Sequence, residues 1–295
     1  MSAPDITIEQ MNLKYDSFPA LQDINLKLEG NKIYALLGRN GSGKTSLLSV
    51  LSSFRPASSG SVKVGGEEVF DNEEATLQIC FIRDEGNVYE EENAKKALAF
   101  ASKFRPNWDA AYADQLMEKF KLPYNKKVSS FSRGMKSAMG AVIGLASRAP
   151  ITIFDEAYLG MDAPSRYAFY EEILRDYMEH PRTIILSTHL IEEVESLFEE
   201  VVILDQGKIL LHEKVDEFRD KGVAVTGSAD RVDEISINMK VLSEKRLGPT
   251  KSVTLFGELD RETKQKISHY QLETGPVGLQ DLFIHFTSKK EGDES

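Results

Sequence analysis

The run Gly38-Arg39-Asn40-Gly41-Ser42-Gly43-Lys44-Thr45 constrains this chain more than any other stretch. It fills every position of the phosphate-loop pattern: Gly, four residues, Gly, Lys, then Ser or Thr. That pattern needs a strand before it and a helix behind it, and both are legible. Residues 33–37 are an apolar run of buried-strand length, and Leu47, Leu48, Leu51 and Phe54 recur at helical spacing. The glycines let backbone N–H groups turn inward with no side chain in the way. The helix N-terminus adds unpaired donors and the positive end of a dipole. Lys44 carries a point charge that reaches β- and γ-phosphates, and Thr45 offers a hydroxyl to Mg²⁺.

Charge narrows the partners. The 295 residues carry a net charge of −11, which argues against a nucleic-acid ligand and against a polybasic lipid anchor. No apolar run reaches the length of a membrane span, and the first ten residues lack a basic start and an apolar signal core. The expectation is a cytosolic chain that cannot by itself carry anything across a bilayer; at a membrane, another protein would hold it. The single Cys80 excludes an internal disulfide, and its apolar surroundings read as a buried, inert thiol.

Along the chain, Ile6, Ile8, Ile24, Leu26 and Leu28 alternate with polar residues, as half-buried strands of an antiparallel layer do. Tyr15 lies between them and, taken alone, reads as a strand tyrosine packed in the core. Residues 62–69 form a hairpin around Gly65-Gly66, and residues 77–82 read as a further strand. Residues 87–148 change to helical character, with stripes Ala94, Ala97, Leu98, Ala101, Phe104 and Tyr112, Leu116, Phe120, and with Trp108 as a packing residue between them. Ser132 is placed to cap a helix carrying Met135, Met139, Val142 and Ala146.

Residues 151–156 are an apolar strand that delivers Asp155 and Glu156 at its C-terminal end, the edge where open α/β sheets bind ligands. The first carboxylate suits Mg²⁺, the second a general base acting on water. Leu159-Gly160-Met161-Asp162 then leads into a helix with Pro164 in its first turn. The strand over residues 183–187 ends in Thr188-His189, which puts His189 at the same edge. Residues 201–211 form a hairpin. From about Gly222 a smaller α/β unit begins, and residues 289–295 read as a charged, disordered tail.

Together these motifs resemble the ATP-binding subunit of an ABC transporter over roughly residues 5–221. The resemblance implies a P-loop α/β cassette with a mixed core sheet, an antiparallel β layer and a helical subdomain at about 87–148. That domain would span residues 1–222, with a small α/β accessory domain over 223–295. Gly38 to Thr45 then stand as the Walker A, with Ser46 next to them at the phosphates. Residues 151–156 resemble the Walker B, with Asp155 for Mg²⁺ and Glu156 as catalytic base. Leu159-Gly160-Met161-Asp162 resembles the D-loop and His189 the switch histidine. Tyr15 takes the place of the aromatic that stacks on adenine, which reverses its reading in isolation. Phe131-Ser132-Arg133-Gly134-Met135 matches the signature, usually Leu-Ser-Gly-Gly-Gln, keeping only Ser132 and Gly134. Where the family usually has a glutamine that touches Mg²⁺, the best register puts Asp84, with Arg83 as the other choice.

What the resemblance implies is an ATPase with ATP and Mg²⁺ as ligands. Two ATP are sandwiched between two ATP-binding subunits, identical or paralogous. Closure would power an integral membrane permease of the export type, from the branch serving antibiotic resistance and the cell envelope. The protein would sit peripherally on the inner face of the membrane through that permease. The other readings are a regulatory cassette that binds ATP and barely hydrolyses it, and a soluble ABC protein of the ribosome or of DNA repair. The soluble proteins usually carry two cassettes or long coiled coils, neither of which this chain has.

Overall fold

The computed structural model describes residues 2–287, so the tail expected at residues 289–295 lies outside the described residues. The chain divides into two compact units, Met1–His212 and Glu213–Ser295.

In the first unit, two sheets enclose the helix that follows the phosphate loop. One is antiparallel, in the order Phe18–Leu28, Ile6–Tyr15, Ser59–Val64, Glu67–Glu68. The other has six strands in the order Lys208–Lys214, Glu200–Asp205, Ile33–Leu37, Thr183–Ser187, Ile151–Asp155, Ile79–Ile82. The pairings of Ile33–Leu37 with both its neighbours, and of Ile151–Asp155 with both of its own, are parallel. Strands buried on both faces favour apolar side chains almost throughout; hence the apolar runs at residues 33–37 and 151–154, the second interrupted only by the buried Thr152. Leu47, Leu48 and Leu51 of the helix Lys44–Leu51 join one core with Ile8 and Leu13 from the antiparallel sheet and Ile153 and Val202 from the parallel one.

The helical segment consists of Ala94–Ser102, Ala110–Lys119 and Arg133–Ala146. The first ends before Phe104, which is exposed rather than part of a buried stripe. The strand read at residues 77–82 begins only at Ile79. Before it, Asn72 caps a short helix, Glu73–Leu77, by accepting from the Ala75 N–H at 3.1 Å. Its two leading glutamates favour a helix N-terminus.

The second unit runs strand Gly222–Ser228, helix Ala229–Ser236, strands Lys240–Leu247 and Thr250–Phe256, helix Arg261–His269, strand Glu273–Pro276. Taken in that chain order, its four antiparallel strands lie second, third, first, fourth. This is the β-α-β-β-α-β plan of ferredoxin-like domains. Val225, Val232, Ile235, Val253, Leu255, Ile267 and Leu272 fill its core. Ahead of this plan, Phe218 packs edge-on against Phe256 and Phe286 within the second unit.

Two features of the first unit carry measurable stability. A Cβ on Gly144 would stand 2.5 Å from Phe154 Cε1 and 2.9 Å from Ile82 Cγ1, inside the contact between its helix and the parallel sheet. Overpacking costs about 1–3 kcal/mol, against roughly 0.5–1 kcal/mol gained from helix propensity. Gly144→Ala is therefore expected to lower the urea midpoint, and an unchanged or higher midpoint would contradict the packing. Glu172 is fully buried and accepts from Tyr112 Oη (3.0 Å) and Lys119 Nζ (2.6 Å), with Arg175 alongside. Burial pushes its carboxyl up, but these donors outweigh it and hold the group below the usual range. A depressed carboxyl stabilises above its unfolded value, about 4.3, and loses that contribution as pH falls toward its folded value. Glu172→Gln should flatten the acid limb of the stability curve and cost about 1–3 kcal/mol at neutral pH, read by denaturant melts at several pH values.

Candidate nucleotide site

Parallel register brings the site together. Leu36 lies opposite Ser187, and Ser187 opposite Asp155, so three strands end at the same level of one edge. The segments that leave this edge begin at Gly38, Glu156 and Thr188.

The loop after Ile33–Leu37 is held as a cradle. Gly41 and Gly43 have φ of +79° and +108°, a region that side chains disfavour. A Cβ on Gly38 would stand 2.3 Å from Ser42 Oγ and 2.5 Å from the Leu204 carbonyl oxygen, so only glycine fits there. The loop is pinned from behind by Ser42 N–H to Arg39 O (3.0 Å) and Gly207 N–H to Ser42 O (2.9 Å). Lys44 is buried inside it, donating to the carbonyls of Gly38 (2.7 Å) and Arg39 (3.4 Å). Burial pulls the Lys44 ammonium below its usual range, while the charges of Glu156 and Asp155 work the other way. Ser42 Oγ is buried with no hydrogen-bond partner among the described residues. An orphaned hydroxyl and a buried ammonium in a glycine cradle fit an anion of several oxygens.

Thr45 Oγ1 donates to Asp155 Oδ2 at 2.7 Å, and Ser187 Oγ donates to Asp155 Oδ1 at 2.6 Å. A hydroxyl and a carboxylate are hard oxygen ligands, which fit Mg²⁺. Among the described residues no cluster of three or more His, Cys, Asp or Glu is placed to hold a metal by itself. Such an ion would therefore draw its other ligands from phosphate and water.

Glu156 has φ of +51°, in the left-handed region where a non-glycine residue is strained. The turn doubles back through Leu159 N–H to Glu156 O (3.0 Å) and Met161 N–H to Tyr158 O (3.0 Å). Glu156 Oε2 meets His189 Nδ1 at 2.8 Å. A cavity of about 670 Å³ is lined by Tyr15, Phe18, Ala20, residues 40–46, Glu156, Leu159 and His189. Tyr15 Oη lies 3.2 Å from Ser46 Oγ, and the Arg55 guanidinium covers its ring at 4.6 Å.

Three expected site residues stand elsewhere. Ser132 and Gly134 begin the helix Arg133–Ala146, where Ser132 Oγ accepts from the Met135 N–H at 3.2 Å. A Cβ on Gly134 would come within 2.5 Å of the Gly160 carbonyl oxygen, so this loop packs tightly on the segment after Glu156. Asp84 faces Arg133 at 3.9 Å in a neighbouring cavity and is not among the residues lining the phosphate-loop cavity. Conversely, Phe18, Ser187 and Tyr158 were not singled out from the sequence. Phe18 closes the hairpin opposite Tyr15. Ser187 would have followed from pairing Asp155 with the end of the next strand.

Comparison with known proteins agrees with this geometry. The family profile described as ABC transporter matches residues 21–159. The ABC transporter ATP-binding protein YtrB of Bacillus subtilis (strain 168) is 25% identical over 285 residues, 95% of this chain and 97% of that protein. The daunorubicin resistance ATP-binding protein DrrA3 of Streptomyces coeruleorubidus is 26% identical over 241 residues, 80% of this chain and 74% of its own length. A solved structure titled as the ATP binding subunit of an ABC transporter superposes with a TM-score of 0.66 at 24% identity, covering 72% of this chain and 91% of that one. The loop, the paired carboxylates and the fold agree with these matches: residues 21–159 carry an ABC transporter domain, and the chain is similar along most of its length to ABC transporter ATP-binding proteins.

Proposed function

We propose that this protein binds and hydrolyses ATP between two ATP-binding subunits and thereby drives an export-type permease. The observation that carries the reading is that Lys44, Thr45, Glu156 and His189 line one cavity, with Asp155 hydrogen-bonded to Thr45. In this reading the loop amides, Lys44 and Ser42 hold the phosphates, and Tyr15 with Phe18 receives the base. Thr45 and Asp155 would hold Mg²⁺, which would neutralise negative charge on the phosphate oxygens. Glu156 orients the attacking water and takes its proton. The water oxygen bonds to the γ-phosphorus, and the bond to the β–γ bridging oxygen breaks with its electron pair leaving on ADP. Lys44 and the loop amides stabilise the charge that spreads over the phosphoryl oxygens.

Ser132 and Gly134 stand away from this cavity, which supports a sandwich in which a second copy, or a paralogue, supplies them. The N-terminus of a 14-residue helix offers unpaired amides and a positive dipole end to a γ-phosphate. Asp84, which faces Arg133, would in this reading be a further oxygen ligand for Mg²⁺. Among the described residues no helix is long and apolar enough to cross a membrane. Phe54, Tyr89, Phe100 and Phe104, each more than half exposed, line a separate cavity of about 780 Å³. Exposed aromatics gathered in one place mark a protein-binding surface. In this reading they dock the permease, which holds the subunit at the inner face of the membrane. Export is the direction proposed because one relative is named for daunorubicin resistance, and outward transport of a drug is one way to confer resistance.

Glu156→Gln should lower kcat at least about 100-fold while giving an ATP-dependent dimer on size-exclusion; a monomer under all conditions counts against the sandwich. Lys44→Ala should abolish retention of ATP on equilibrium dialysis, and retained tight binding would place the nucleotide elsewhere. Phosphate release with and without a co-expressed permease separates a working motor from a regulatory cassette, which would bind ATP and stay silent in both.

A further inference from the structure

Behind the Glu156–His189 pair lies a buried phenol that the reading above leaves unused. Tyr158 is 4% exposed, two residues past Glu156. Its hydroxyl donates to Glu156 Oε2 in a short hydrogen bond. It accepts from the His189 backbone N–H at 3.1 Å and from Thr188 Oγ1 at 3.1 Å. Thr188 Oγ1 in turn accepts from the Leu190 N–H at 3.0 Å. The result is a directional chain: Leu190 amide to Thr188 hydroxyl, Thr188 to Tyr158, Tyr158 to Glu156.

A phenol has one proton to give and two lone pairs. Both lone pairs and the proton of Tyr158 are taken, so its 3.0 Å approach to His189 Nδ1 is not a further donated bond. His189 Nδ1 is therefore the donor to Glu156 Oε2 at 2.8 Å, which leaves Nε2 for the cavity. Both residues that face the reacting phosphate in the proposed function thus lean on one buried hydroxyl. The buried Tyr158 ring packs against Tyr170, with centroids 6.3 Å apart, and against His189, at 5.8 Å. Burial and the neighbouring Glu156 charge push the phenol above its usual range, which keeps it a neutral donor at working pH.

We propose that Tyr158 is a positioning residue for hydrolysis. Through its single hydroxyl it sets the orientation of the Glu156 carboxylate, and that carboxylate, by accepting from His189 Nδ1, fixes the tautomer of His189 in turn. The inference rests on the hydrolytic reading of the cavity. It explains why a strained, left-handed Glu156 keeps one direction: the backbone turn supplies the approach, and the phenol fixes the side-chain end.

The test is steady-state ATP hydrolysis by the full chain, with thermal melting run alongside. Tyr158→Phe keeps the ring and removes the hydroxyl. It is expected to lower kcat roughly 10- to 100-fold, the scale of a misplaced catalytic group, with KM for ATP nearly unchanged and the melting temperature lowered by no more than a few degrees, since the donors of Thr188 and His189 lose an acceptor. In a Glu156→Gln background the same change should alter residual turnover by less than about twofold, because the group it positions is already gone. Thr188→Val, which removes the next hydroxyl in the chain, should give a smaller loss of kcat that Thr188→Ser restores. That pair decides the matter if Tyr158→Phe does not fold. An unchanged kcat in Tyr158→Phe, a loss that multiplies with Glu156→Gln, or no effect of Thr188→Val would overturn the positioning role. Wild-type protein without ATP turnover would overturn the hydrolytic reading itself.

Discussion

Parallel pairing between Ile33–Leu37, Thr183–Ser187 and Ile151–Asp155 is the constraint on which the rest depends. Each strand enters from the same end, so each leaves its next residue at one edge. The chain separates Gly38 from Glu156 by more than a hundred residues, and yet the register sets their segments side by side. Hydrogen bonds across that edge make the register visible in the side chains: Asp155 accepts from Thr45 on one oxygen and from Ser187 on the other. A slip of one residue in either pairing would turn these groups to the opposite face of the sheet.

Electrostatics at that edge follow from burial. Lys44 is buried among carbonyls, and Asp155 is buried between two hydroxyls. A charge removed from water needs oriented partners, and the loop backbone supplies them before any ligand does. Preorganised dipoles of this kind need no reorganisation when charge develops during reaction. The strained turn at Glu156 belongs with them, since it delivers the carboxylate beside His189 within the same wall.

How legible an element was from sequence depended on how much of it is buried. The parallel strands, apolar on both faces, stood out as nearly unbroken runs. The phosphate loop stood out because its glycines answer local backbone demands at Gly41 and Gly43. In the second unit, Lys240–Leu247 is largely exposed at a sheet edge, and Arg261–His269 buries only Ile267. Neither leaves a strong period, and neither was read. The helix Glu73–Leu77 was missed for another reason: five residues are too few for a periodic pattern, and only the Asn72 cap marks its start.

By itself, the sequence determined the cradle, the buried strands that flank it and the two carboxylates, because each depends on residues adjacent in the chain. Tertiary structure decided which distant groups share a wall. It placed Phe18 beside Tyr15 at the cavity, set Ser187 against Asp155, turned Asp84 toward Arg133, and brought the Tyr158 hydroxyl to both Glu156 and His189. Those placements come from strand register and from the path of a turn. Local propensity carries no information about either until the whole sheet has assembled.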